Sequence, residues 1–135
     1  MSWSIGLSSL TREQLEYASK TMDYDQAYAY FNQLKGTSFG DIPDIMLEFA
    51  NYNEAMRAVM DYGEEVDDDY LKLEFPRMYD EQDIQTVLAE FNKLDFDDME
   101  NFDDYEDICD VMLGLRDTFQ YAHDNKHIII LYRMM

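Results

Sequence analysis

The sequence predicts an α+β domain spanning residues 1–135: a small, mostly antiparallel sheet built from an N-terminal strand, two middle strands and a C-terminal strand, covered by about five helices. Three observations carry that reading. Apolar residues recur at helical spacing in several segments, other segments alternate or run continuously β-branched, and the two kinds are interleaved along a chain of one-domain length. Hydrophobic residues make up 47% and aromatics 15%, far more than an acidic disordered tail carries, so a folded core is expected.

The chain opens with Trp3, Ile5 and Leu7 alternating with Ser4 and Gly6, the period of a half-buried strand. Leu10-Thr11-Arg12-Glu13-Gln14-Leu15 then reads as a helix start. Thr11 can cap, Gln14 can reach back to complete a capping box, and Leu10 can staple onto Leu15. From Asp23, Ala27, Tyr30, Phe31 and Leu34 fall on one helical face, with Gly36 as the stop. Tyr24 and Tyr28 fall on a neighbouring face with partial exposure. Residues 36–43 read as a turn-rich connector, with Pro43 opening a short helix to Phe49.

Met56–Met60 and Tyr70–Phe75 read as strands flanking an acid run. Asp80 can cap a helix carrying Ile84, Val87, Leu88 and Phe91 at i, i+3, i+4 and i+7. A longer helix carries Ile108, Val111, Met112, Leu115, Phe119 and Ala122 on one face, and ends at Asp124-Asn125-Lys126. His127 to Tyr132 is continuous and β-branched, the signature of a strand buried on both faces. The sequence has no internal repeat.

Several of these pieces together resemble the YfbM-like family of small bacterial proteins, a family of unknown function. The resemblance lies in Ile5-Gly6, in Met22-Asp23-Tyr24-Asp25-Gln26-Ala27-Tyr28-Ala29-Tyr30-Phe31 followed by Gly36-Thr37-Ser38, in Arg77-Met78-Tyr79 leading to Asp80 through Phe91, and in Leu115–Ala122 with His127–Tyr132. It implies the same α+β fold and no particular activity. This chain departs from the family pattern where Gln26 stands in place of a Lys, Tyr28 of a Trp and Asn32 of a His, with one residue missing before Gly36. A site built by those residues in relatives is therefore not carried over.

Charge is the other dominant feature. There are 30 Asp and Glu against 10 Lys and Arg, a net charge of -20 at pH 7. The acids gather in two runs, DYGEEVDDD over Asp61–Asp69 and DFDDMENFDDYEDICD over Asp95–Asp110. Such a chain repels nucleic-acid phosphates and anionic lipid headgroups, so direct nucleic-acid binding and a membrane partner are not expected; an electrostatic partner would be a basic protein. The single Cys109 cannot form an internal disulfide and falls on the apolar stripe of the last helix, fitting an inert thiol in a reducing, cytoplasmic setting. No basic leader or membrane-length apolar stretch occurs in the sequence.

Signals for chemistry are thin. His123 and His127 are four apart but straddle the expected helix end, and the segment between them lacks the Glu of an HExxH site, so no metal is expected. The second acid run lacks the glycine and register of an EF-hand calcium loop. There is no phosphate-cradling glycine loop and no nucleophile elbow, so the expectation is a protein without enzymatic activity or cofactor. The acids between Asp95 and Asp110 number nine and are interleaved with Phe96, Met99, Phe102 and Tyr105. Packing like charges so densely costs stability, which favours a binding role over mere solubility.

These readings converge on an acidic inhibitor: an immunity protein that neutralises a cognate toxin, with a basic nuclease as the fitting target. The contact residues would be Asp97, Asp98, Glu100, Asp103, Asp104 and Asp107, with Phe102 or Tyr105 as apolar anchor and Asp67, Asp68 and Asp69 as a second patch. Two alternatives are a nucleic-acid mimic that blocks a restriction or CRISPR enzyme, and a housekeeping protein whose acidity is incidental.

Overall fold

The computed structural model describes residues 4–40, 63–67, 73–93 and 105–134, with side chains described throughout these except at 4, 39, 40, 74, 105–111 and 134. The elements are β1 Ser4–Leu10, α1 Arg12–Thr21, α2 Tyr24–Gln33, β2 Gly36–Gly40, β3 Glu64–Glu65, β4 Glu74–Tyr79, α3 Glu81–Phe91, α4 Tyr105–Asn125 and β5 Ile128–Met134. The strands form one antiparallel sheet in the order β2-β1-β5-β4-β3. The class is α+β, as expected.

Helix starts follow the local chemistry. Thr11, Asp23 and Asp80 each accept a backbone N–H three residues on, while Gln14, Gln26 and Asp83 reach back to the cap's own N–H, so all three short helices begin with a full capping box. The box accounts for Gln26. The third helical residue must offer an acceptor to the Asp23 N–H, here at 3.2 Å, and an ammonium has none.

β5 lies between β1 and β4, and Ile128 through Tyr132 are all buried. Alternation divides its side chains between two layers. On one face Ile128, Ile130 and Tyr132 pack with Leu10, with Leu15 and Ala18 of α1, and with Ala27 and Phe31 of α2. On the other, Tyr79 of β4 meets Phe119 of α4 edge to face at 5.4 Å, and Phe119 in turn meets Phe91 of α3 at 6.4 Å. Met112, Leu115, Phe119 and Ala122 of α4 are fully buried, as their spacing predicts. Removing one of these rings would cost about 3–5 kcal/mol through lost transfer energy and the cavity left behind.

Three sequence expectations are corrected. The segment from Gly36 is a strand rather than a connector: it pairs along β1 from Ser4↔Gly40 to Ser8↔Gly36. Gly36 does not stop α2, which ends at Gln33; it lets two backbones meet, since a Cβ there would lie 1.9 Å from the Leu7 carbonyl oxygen. The strand placed at Tyr70–Phe75 instead starts at Glu74 and runs to Tyr79, despite Pro76. Four helices are seen among the described residues; the expected helix Pro43–Phe49 and strand Met56–Met60 lie outside them.

Two non-glycine residues sit in the left-handed region, Phe75 at φ 48° and Lys126 at φ 57°. Lys126 closes α4 with the two bonds of a Schellman motif, Lys126 N–H to the His123 carbonyl and His127 N–H to the Ala122 carbonyl. Phe75 forms a bulge. Glu74 pairs with Arg133 and Arg77 with Leu131, so β4 spends three steps where β5 spends two. Proline after Phe75 biases that residue toward extended backbone, and a bulky left-handed residue costs of order 1–3 kcal/mol. No helix among the described residues is long and apolar enough to cross a membrane.

Candidate functional site

The first acid run can be followed in part. Glu64 and Glu65 form β3, both exposed, and pair with Met78 and Arg77 of β4. The ladder continues with Val66 N–H donating to the Pro76 carbonyl, and Asp67, exposed, comes next along the chain. Arg77 reaches back and donates from Nε and Nη2 to the Gly63 carbonyl, fixing the entry to the strand.

This strand approaches the N-terminus of α3. Partial burial raises the Asp83 carboxyl above its ordinary value; the negative charges of Asp80 and Glu64 push in the same direction, while the N–H donated by Asp80 opposes them. Glu64 is thus within electrostatic reach of Asp83. Glu81, in the same first turn, is held low by the hydrogen bond from Arg12 at 2.8 Å. Both side chains of that pair are more than half exposed, so it is worth at most about 1 kcal/mol.

Of the residues expected to bind a partner, Asp67 is described and exposed. Tyr105 and Asp107 fall in the first turns of α4, where the backbone is described. Asp68, Asp69, Asp97, Asp98, Glu100, Phe102, Asp103 and Asp104 lie outside the described residues, and Cys109 sits in α4 without a described side chain.

A second candidate is a cleft of about 340 Å³ between α2 and the β1–β2 edge, lined by Ser8, Asn32, Thr37, Ser38 and Tyr132 with Phe31 at its wall. Tyr132 donates to Asn32 Oδ1 at 2.7 Å, and Ser8 donates to the Phe31 carbonyl at 2.7 Å. Both hydroxyl protons are then committed, so the 3.3 Å approach of the two oxygens is a contact rather than a relay. Burial raises the Tyr132 phenol further, with Tyr28 adding to the rise and Ser8 opposing it. The phenol stays neutral at physiological pH, and this wall offers no general base. Asn32 and Tyr28 both serve Tyr132, the first as acceptor and the second as an edge-to-face ring at 6.5 Å.

The two histidines meet at a third place. His123 and His127 line a cavity of about 490 Å³ with Lys126 and Glu81. His127 Nδ1 lies 2.9 Å from Ser9 Oγ, and Tyr121 packs edge to face against the ring. Ser9 is 2% exposed, so its hydroxyl anchors the imidazole rather than facing a substrate. Among the described residues no group of three or more metal-ligating side chains comes together.

Sequence reasoning missed Phe75. The spacing places it in a regular strand, yet it stands 63% exposed at the bulge with the Arg133 guanidinium 5.7 Å from its ring centre. The Phe-Pro dipeptide was the available signal, since proline inside a strand marks an edge or a bulge.

A five-stranded antiparallel sheet clothed in helices on both faces, with β5 at its centre, defines a YfbM-like α+β fold. The solved structure of a protein of unknown function, YfbM from Escherichia coli, matches over 97% of this chain and 99% of its own, with a TM-score of 0.65 and 12% sequence identity. At that identity the likeness concerns the fold alone. No family model matches the sequence, and no curated protein does.

Proposed function

We propose that this chain is a non-enzymatic, acidic inhibitor of a basic protein, acting as an immunity protein that binds and neutralises a cognate toxin in the cytoplasm. The observation that supports it is charge at the surface: Glu64, Glu65 and Asp67 stand exposed on and beside β3 in a chain of net charge -20. Such a field accelerates encounter with a basic surface, toward 10⁸ M⁻¹s⁻¹ or more at low salt. The denser run from Asp95 to Asp110 would supply the remaining contacts.

The test is affinity capture with the intact protein, co-expressed with inactivated toxins and washed at low and then high salt. One basic protein retained through moderate salt, with slower association when Asp97–Asp107 acids are changed to Asn or Gln, supports the reading. Recovery of several nucleic-acid enzymes, all lost at high salt, would favour phosphate mimicry instead. Unchanged association after neutralising both runs would leave the acids as a solubility device.

A further inference from the structure

We infer that the cleft between α2 and the β1–β2 edge is a binding site for a small neutral polyol, a molecule of monosaccharide size whose adjacent hydroxyls are read by Ser8, Asn32, Ser38 and Tyr132. This goes beyond the inhibitor reading and does not rest on it. The register builds the hollow. Gly6 of β1 lies opposite Ser38 of β2 on one side and Tyr132 of β5 on the other. Residues directly opposite in a sheet share a face, so Ser38 and Tyr132 point to the same side, and Gly6 puts no side chain between them. Ser8, two residues further along β1, joins that face, where its hydroxyl bonds the Phe31 carbonyl of α2. The resulting cleft holds about 340 Å³, at the small end of the usual range for ligand sites.

The chemistry of the wall selects the ligand. Tyr132 spends its proton on Asn32 Oδ1 at 2.7 Å, and Ser8 spends its own on the Phe31 carbonyl at 2.7 Å. Their oxygens, 3.3 Å apart, are left as a pair of acceptors at the floor, where neither residue is more than 2% exposed. Asn32, with Oδ1 taken, has its Nδ2 hydrogens to offer, and the exposed Ser38 hydroxyl at the rim both donates and accepts. Two adjacent acceptors beside a donor match two neighbouring hydroxyls, each donating to the floor and accepting from the rim. None of the described residues that line the cleft is charged, so an ionic ligand would lose its water there without gaining a counterion. A chain of net charge -20 repels anions further, which sets phosphorylated and acidic sugars aside on both grounds.

The experiment is an amide-resolved NMR titration of the full chain with D-glucose, D-galactose and D-ribose, each beside its own phosphate ester. At least one neutral sugar should shift the Asn32 side-chain amide and the Ser38 backbone amide saturably, with a millimolar Kd or tighter, and its phosphate should bind about tenfold more weakly or worse. Tyr132→Phe removes one floor acceptor at nearly constant volume and should weaken that sugar about tenfold; Ser38→Ala, at an exposed position, should weaken it about threefold with an unchanged melting temperature. No saturable shift from any neutral sugar up to about 50 mM overturns the site. A phosphate ester bound as tightly as its sugar overturns the neutral assignment. Full affinity in both variants moves the ligand elsewhere and also overturns the inference, and if Tyr132→Phe does not fold, Ser38→Ala alone decides. Capture of a basic protein tests the inhibitor reading separately and is untouched by any of these outcomes.

Discussion

Lys126 holds α4 closed in a conformation that suits glycine, so a small part of the protein's stability is forfeited at one φ angle. Lys126→Gly should keep the Schellman bonds and raise stability by about 0.5–1 kcal/mol, the gain from removed strain exceeding the added freedom of the unfolded chain; a thermal melt checks it. Asp83 gives a charge counterpart. Its carboxyl is raised when folded, so the folded state holds the proton more tightly, and stability falls as pH rises from the unfolded value near 3.8 through the folded value. Above that window the cost is constant. Asp83→Asn keeps an acceptor for the Asp80 N–H and removes the charge, so it should raise the melting temperature at pH 7 and flatten the profile across that window, as calorimetry across pH would show.

At the scale of elements, Gly36 where β2 meets β1 and Gly114 where α4 meets β2 should respond differently. A methyl at Gly36 collides with the Leu7 carbonyl at 1.9 Å, and backbone cannot step aside without opening the β1–β2 ladder. A methyl at Gly114 meets Thr37 Oγ1 at 2.8 Å, the end of a side chain that can rotate. Gly36→Ala should therefore cost several kcal/mol and Gly114→Ala about 1 kcal/mol or less, measured by denaturant titration. The same glycine shows where sequence reading stopped. Helices α1 and α3 and strand β5 announce themselves through caps, spacing and an unbroken β-branched run, because local chemistry and burial agree there. β2 hides because Gly-Thr-Ser-Phe-Gly is turn composition, and its pairing is decided by close approach to β1. β4 hides because Pro76 and the bulge interrupt its alternation. Of the candidate site, the acids were legible as charge, but the outward turn of Phe75 depends on a register shift against β5 that no local pattern records.

For the whole molecule, a net charge of -20 on 135 residues makes self-repulsion the main electrostatic term, while ion pairs among the described residues, such as Lys20–Glu16 at 2.6 Å, lie at the surface. Raising salt from about 0.01 M to 1 M shrinks the screening length from about 30 Å to 3 Å, so the melting temperature should rise with sodium chloride. A fall would show that the ion pairs outweigh repulsion. The sheet order has a further effect, on synthesis. β1 finds its central partner only 124 positions later, Leu7 opposite Leu131, and at roughly 5–20 residues per second the ribosome needs on the order of 6–25 s to deliver it. Through that interval β1 has β2 on one side and nothing on the other, an open edge of the kind that recruits neighbouring nascent chains. On a polysome the acid runs emerge before β5, and each chain then carries enough negative charge to hold its neighbours apart until the sheet can close.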